Sequence, residues 1–334
     1  MVEIGEKSFD FGLFMCQKLW KAKKLYLKCR RSMIIIKHVQ IILSLLVHIR
    51  GTPEERKNMD YTTFTNIMQN NMKEYLSPDV TVDVHSTLKN NGTIRTGLMF
   101  IQPDVNTFPT IYLEEFYDQY LQGESMNTLV QSMQEIYEKV KVKQSFPYNR
   151  ILEYPKMKER IVYKVIQRKS NEELLTQVPH ELYLDLAIVY YALMETTEYG
   201  TATLLIRNEH LKGWNITKED LREAARKNTP CLLPAEGYVL ADYMYLVTNC
   251  MKSFGAAVML YDGFWERMET MIGENFFVIP SSVHELILIP ESFGMDRRHL
   301  QEMVREVNRT EVEKEEVLSD NVYYYSKEEG RLLY

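Results

Sequence analysis

Phe276-Phe277-Val278-Ile279-Pro280-Ser281-Ser282-Val283-His284-Glu285-Leu286-Ile287-Leu288-Ile289-Pro290 is the stretch whose reading decides the fold. Two apolar runs, 276–279 and 286–289, flank a small polar turn at 280–285. Apolar runs of about four to eight residues bounded by turn signals read as strands of a buried sheet. A strand–turn–strand junction that offers serines, a histidine and a glutamate is also the first place to look for chemistry.

Working outward, further strands are predicted at 80–85, 93–101, 161–166, 182–194, 201–206, 244–248, 256–261 and 321–325. The first two are joined by Asn90-Asn91-Gly92, a tight hairpin signal. Helical spacing marks 60–76, with Asp60 as its cap, and 111–121, 126–142, 262–272 and 296–308. Thr217-Lys218-Glu219-Asp220 is a capping box that opens a helix to Lys227, and Asn228-Thr229-Pro230 is expected to end it. Strands paired through short turns and interspersed with helices predict an α+β fold, with mixed, mostly antiparallel sheets and helices packed on them.

Hydrophobic content of 45% and charged content of 26% are those of an ordinary globular protein. The net charge of −6 is unevenly spread: residues 1–58 hold 12 Lys+Arg against 5 Asp+Glu, leaving 28 against 41 for residues 59–334. An acidic body repels phosphate backbones, which excludes nucleic acid as the expected partner. The four cysteines, at 16, 29, 231 and 250, form neither a C-x-x-C pair nor a cluster, so reduced thiols in a cytoplasmic protein are expected. Cys231 and Cys250 flank apolar segments and are expected to be buried and inert.

Residues 18–31 are strongly basic and run into an apolar stretch at 33–49 interrupted by Lys37, His38, Gln40 and His48. That falls short of the roughly 20 apolar residues of a spanning helix, and no small-x-small cleavage site follows. The codons of Glu54-Glu55-Arg56-Lys57 are necessarily purine-rich, like a ribosome-binding site, and stand just before Met59. Translation is therefore expected to begin at Met59, with membrane attachment only if 18–49 is translated. The expected organisation is an extension at 1–58, a helix–hairpin–helix region at 59–148 and an α+β domain at 149–334. The boundary between the two domains falls in the connector 143–160, which carries Pro147 and Pro155.

From Met59 onward the chain resembles an uncharacterised family of gut Firmicutes proteins, described only as a domain of unknown function. The resemblance is carried by Lys89-Asn90-Asn91-Gly92, Pro109-Thr110-Ile111-Tyr112-Leu113, Asp185-Leu186-Ala187-Ile188-Val189-Tyr190 and Ala224-Ala225-Arg226-Lys227-Asn228-Thr229-Pro230. Gly255-Ala256-Ala257, Ile279-Pro280-Ser281-Ser282-Val283-His284-Glu285 and Val322-Tyr323-Tyr324-Tyr325 extend it. Residues 160–290 are more distantly similar to a second uncharacterised family, from bacilli, in which the serines and histidine of the turn are replaced. Both resemblances imply an architecture and neither implies an activity.

Ser282, His284 and Glu285 are the residue types of a nucleophile–base–orienter set, with Ser281 beside them. Strand alternation would put Ser282 and His284 on one face and Glu285 on the other. No G-x-S-x-G elbow accompanies them. The competing reading is a turn whose hydroxyls cap backbone amides while His284 packs. Pro179-His180-Glu181-Leu182 repeats the His-Glu-Leu of the turn, so His180, His284 and Asp185 would form a metal or acid–base cluster if the two strand starts faced each other. Asn208, His210, Trp214 and Asn228 are expected around the Thr217 helix, where an anionic or planar ligand would fit. Asn228 would cap that helix. Glu114, Glu115 and Asp118 read as a solvated acidic face. Gly255-Ala256-Ala257 is expected to precede a strand and forms no phosphate loop.

The leading functional reading is a non-enzymatic protein that binds a partner protein or small ligand, with no cofactor. The alternative is a hydrolase-type enzyme using Ser282, His284 and Glu285.

Overall fold

The computed structural model describes residues 59–103, 108–141, 153–197, 200–240 and 244–334. The expected extension 1–58, and much of the expected connector 143–160, lie outside the described residues. The described residues divide into two compact units. The first comprises those from Met59 to Pro234 together with Lys314–Glu316, and the second comprises those of Ala235–Glu313 and Val317–Tyr334. Among the described residues all strand pairings are antiparallel, and the fold is α+β, as the turn-linked runs predict. Among the described residues no helix is long and apolar enough to cross a membrane.

In the first unit, α1 (Tyr61–Tyr75) begins where the Asp60 carboxylate accepts the Thr63 N–H at 2.7 Å. Phe64, Met68 and Met72, spaced by four, form its buried stripe. β1 (Thr81–Leu88) and β2 (Ile94–Ile101) pair from Thr81↔Ile101 to Leu88↔Ile94. Their turn is possible because Asn91 and Gly92 take left-handed φ values of 57° and 66°. A strand the sequence reading assigned to a helix, β3 (Thr110–Tyr112), extends this sheet. Gly97 admits it: a Cβ there would stand 2.7 Å from the Ile111 carbonyl oxygen. Helix α2 therefore starts only at Glu114 (Glu114–Leu121), and α3 (Met126–Val140) follows under the Ser125 cap.

The second sheet of this unit has β6 (Leu186–Thr197) at its centre, between β4 (Ile161–Gln167) on one side and β5 (His180–Tyr183) and β7 (Gly200–Leu205) on the other. The expected single run 182–194 is broken by Leu184, whose φ is 55°, so it forms a hairpin instead. Helices α4 (Asn208–Trp214) and α5 (Lys218–Leu232) follow the sheet, and shorter helices lie at Tyr154–Met157 and Glu172–Gln177. The Thr217/Asp220 capping box is present, but α5 continues through Pro230. Asn228 does not cap it. Its amide donates to the Lys158 and Ile161 carbonyls at 2.7 and 3.0 Å, while the Thr229 hydroxyl takes the Tyr163 N–H at 3.1 Å. Tertiary bonds to β4 outweigh the local stop signal.

The second unit is a six-stranded sheet of order β13-β12-β10-β11-β9-β8. Its strands are β8 (Ala235–Val239), β9 (Tyr245–Asn249), β10 (Phe276–Ser282), β11 (Glu285–Pro290), β12 (Tyr323–Ser326) and β13 (Arg331–Leu333). Every residue of β10 and β11 is buried, because both faces of the central pair are covered. On one face Leu300 and Val304 of α7 (Arg297–Thr310) join Phe277, Ile279, Ile287 and Ile289. On the other, Trp265 of α6 (Phe264–Ile272) stacks on Tyr325, which stacks on Phe276 at 4.7 Å. Two covered faces account for runs that are continuously apolar rather than alternating. Residues 256–261, expected as a strand, instead lie mostly in a 3-10 helix, Gly255–Leu260.

Candidate functional site

The β10–β11 junction is tighter than the six-residue polar turn expected. β10 runs on through Ser282 and β11 resumes at Glu285, leaving Val283 and His284 as the turn. The register slips by one residue between Ile279 and Ser282, a bulge that contains Pro280, which has no N–H to give the ladder. Strand alternation therefore stops short of His284, and the expected shared face with Ser282 has no geometric basis.

Ser282 Oγ and His284 Nδ1 both accept from backbone N–H groups. The His284 N–H donates to Ser282 Oγ at 3.1 Å, and the Thr248 hydroxyl donates to the His284 carbonyl at 2.7 Å. His284 Nδ1 accepts the Phe254 N–H at 3.1 Å, and the Phe254 ring stacks on the imidazole with centroids 5.6 Å apart. Because Nδ1 accepts, the proton of the neutral ring sits on Nε2. Ser282 Oγ makes no hydrogen bond to that ring. The Ser281 hydroxyl lies 3.4 Å from Glu285 Oε1, and both residues are buried.

The partner loop is equally constrained. Asn249 accepts the Met251 and Ser253 N–H groups and donates to the Ser253 carbonyl at 2.9 Å, which winds residues 250–254 into a knot. Lys252 and Phe254 adopt left-handed φ values of 51° and 52°. Gly255 then passes so close to the turn that a Cβ would lie 2.5 Å from the His284 carbonyl oxygen and 2.7 Å from the Asn249 nitrogen. Chemically, the arrangement is a backbone clasp. It orients His284 through an amide, where a nucleophile–base pair would orient it through a serine hydroxyl.

The remaining predicted site residues lie in the first unit. His180 starts β5 with Nδ1 3.1 Å from the Val178 carbonyl. The neighbouring Glu181 is the more connected residue: Tyr190 donates its hydroxyl to it, Arg222 Nε lies 3.4 Å away, and burial with the carboxylate drives the Tyr190 phenol upward. Asp185 sits in the β5–β6 turn, where its carbonyl accepts the Arg168 N–H at 3.2 Å. Asn208 donates to the Thr176 carbonyl at 3.1 Å, and Trp214 stacks on His210 at 5.5 Å and lies tilted against Tyr154 at 5.8 Å. Burial lowers the His210 pKa. Among the described residues no group of three His, Cys, Asp or Glu could hold a metal ion. Cys231 and Cys250 are exposed, contrary to expectation, because each lies at the end of an element rather than on its core face.

Several connected groups escaped the sequence reading. Glu114 and Glu115, expected on a solvated face, are held with Glu315 around Arg95, and Glu114 also takes the Tyr61 hydroxyl and the Thr96 N–H. Arg95 is separated from these glutamates by 19, 20 and 220 residues, distances in sequence that no local pattern reports. Lys164 rises from the apolar strand β4, with its ammonium 5.6 Å from the Tyr191 ring. Burial, aided by Lys89, lowers its pKa to about 8. A lysine inside an otherwise apolar strand was the available signal.

The outer edge of the second unit's sheet offers a different kind of surface. Among the described residues β8 has β9 as its strand neighbour on one side and none on the other. The Leu240 N–H bonds the Met244 carbonyl, so by strand alternation Ala235, Gly237 and Val239 turn their peptide groups outward. Val239 is 71% and Tyr238 39% exposed. β8, Ala-Glu-Gly-Tyr-Val, carries no lysine, proline or bulge along this edge, and Glu236 is its one charge. Tyr238 donates its hydroxyl to Glu236, and the Lys252 ammonium lies 5.3 Å from its ring.

No curated protein and no solved structure matches the chain. Residues 61–243 and 236–327 match the family of unknown function DUF5688, and the chain belongs to that family.

Proposed function

We propose that the protein works by binding, and that it takes an extended polypeptide segment as an added strand at β8. The observation that supports this is the unguarded edge, with three outward peptide groups beside an exposed valine and tyrosine. Strand addition draws affinity from main-chain hydrogen bonds and specificity from alternate side chains. The hydrolase alternative draws less support, since Ser282 and His284 Nδ1 are engaged with backbone N–H groups. A cytoplasmic bacterial setting, and kinship with gut Firmicutes and bacillar relatives, belong to the same proposal.

The test is selection of a displayed random-peptide library on the purified full chain. Enriched peptides should alternate apolar residues and slow hydrogen exchange at the Gly237 and Val239 amides. Val239→Lys should abolish their binding. Peptides that bind the variant equally well would refute the site.

A further inference from the structure

The geometry points to a second copy of this chain as the occupant of the edge, through antiparallel pairing of β8 with its two-fold mate centred on Gly237. This rests on the strand-addition reading above and names its partner. Antiparallel strands must set outward residues against outward residues, which here are Ala235, Gly237 and Val239. Centring on Gly237 pairs it with itself and Ala235 with the partner's Val239, so all three are used, giving about six backbone hydrogen bonds. Any other allowed register leaves at least one of them outside the strand.

That register also aligns the charges. Glu236 falls opposite the partner's Tyr238 in a non-hydrogen-bonded pair, where side chains approach closest. Each copy already gathers Glu236, which takes the Tyr238 hydroxyl, and Lys252, 5.3 Å from the Tyr238 ring, on this face, and the pairing brings the partner's Glu236 to that Tyr238 and Lys252. The two-fold axis repeats the contact, which is the self-complementarity an isologous interface requires. Gly237 on the axis is not demanded by the chain's own packing, as a Cβ there would meet its nearest neighbour, Val247, at an ordinary 3.8 Å.

Sedimentation of the full chain across a concentration series at low salt tests the pairing, with melting midpoints confirming that each variant is folded. A monomer–dimer equilibrium is expected. Glu236→Lys alone and Lys252→Glu alone should each weaken it by about tenfold, and the double reversal should restore it. Val239→Lys should leave monomer only. A double reversal no better than the single variants, or a dimer insensitive to Val239→Lys, would overturn the inference. A chain that stays monomeric but still captures selected peptides at β8 overturns self-pairing alone; loss of both overturns the strand-addition reading as well.

Discussion

Replacing Gly255 by alanine tests the clasp at His284 with a single methyl group. The added carbon would stand 2.1 Å from Thr248 Oγ1, 2.5 Å from the His284 carbonyl oxygen and 2.7 Å from the Asn249 nitrogen. Two of these atoms belong to backbone already held in a sheet or a hydrogen-bonded turn, so neither can yield locally. Overpacking of this kind costs about 1–3 kcal/mol, and losing the Thr248–His284 hydrogen bond adds about 1 kcal/mol. A loss of about 2–4 kcal/mol follows, a large share of the roughly 5–15 kcal/mol that holds a domain folded. Urea unfolding read by Trp265, with Trp20 and Trp214 replaced by phenylalanine, follows the unit that contains the clasp. Adding Thr248→Ala should recover little, since the backbone clashes persist. Full recovery, or a Gly255→Ala midpoint close to the parent's, would refute the reasoning. Gly213→Ala, read in the first unit by Trp214 with Trp20 and Trp265 replaced by phenylalanine, is the control: nothing lies within 4 Å of its Cβ, so a gain of roughly 0.5–1 kcal/mol is expected in helix α4.

Lys164→Met should stabilise the first unit. With the folded pKa near 8 against an ordinary 10.5, the ammonium's desolvation penalty is fully present below pH 8, shrinks as pH rises, and is gone above about 10.5. The variant should therefore gain about 3 kcal/mol at pH 7 and little at pH 10.5 in paired urea titrations; equal differences at both would contradict the buried-lysine account. Thr217→Ala removes the cap accepting the Asp220 N–H at 3.1 Å and should cost about 1 kcal/mol, measured as a lowered denaturation midpoint. Cys231 and Cys250 should both react with maleimide in the folded chain, Cys250 more slowly because burial raises its thiol pKa; protection of either site would contradict their exposure.

Much of the fold was legible locally because its signals are local. The left-handed Asn91-Gly92 turn, the Asp60 cap, the Thr217 capping box and the apolar runs of β10 and β11 each depend on neighbours within a few residues. The failures share one cause. Pro230 sits inside α5 because Asn228 and Thr229 bond β4, Ile111 joins a strand because Gly97 lets it approach, and Gly255 turns into a 3-10 helix against the His284 turn. Partners distant in sequence decide these, and no window of residues contains them.

The stretch 276–290 shows the division most sharply. Its residues by themselves determined that two buried strands would pair here around a polar turn, since only a doubly covered sheet tolerates such continuous apolarity. What the turn does depended on tertiary structure. His284 lost the part of a free base when the Phe254 amide arrived from a loop 30 residues earlier, and Ser282 when the His284 amide folded back onto its hydroxyl. At this turn the groups that engage the lone pairs of Ser282 and His284 are backbone amides.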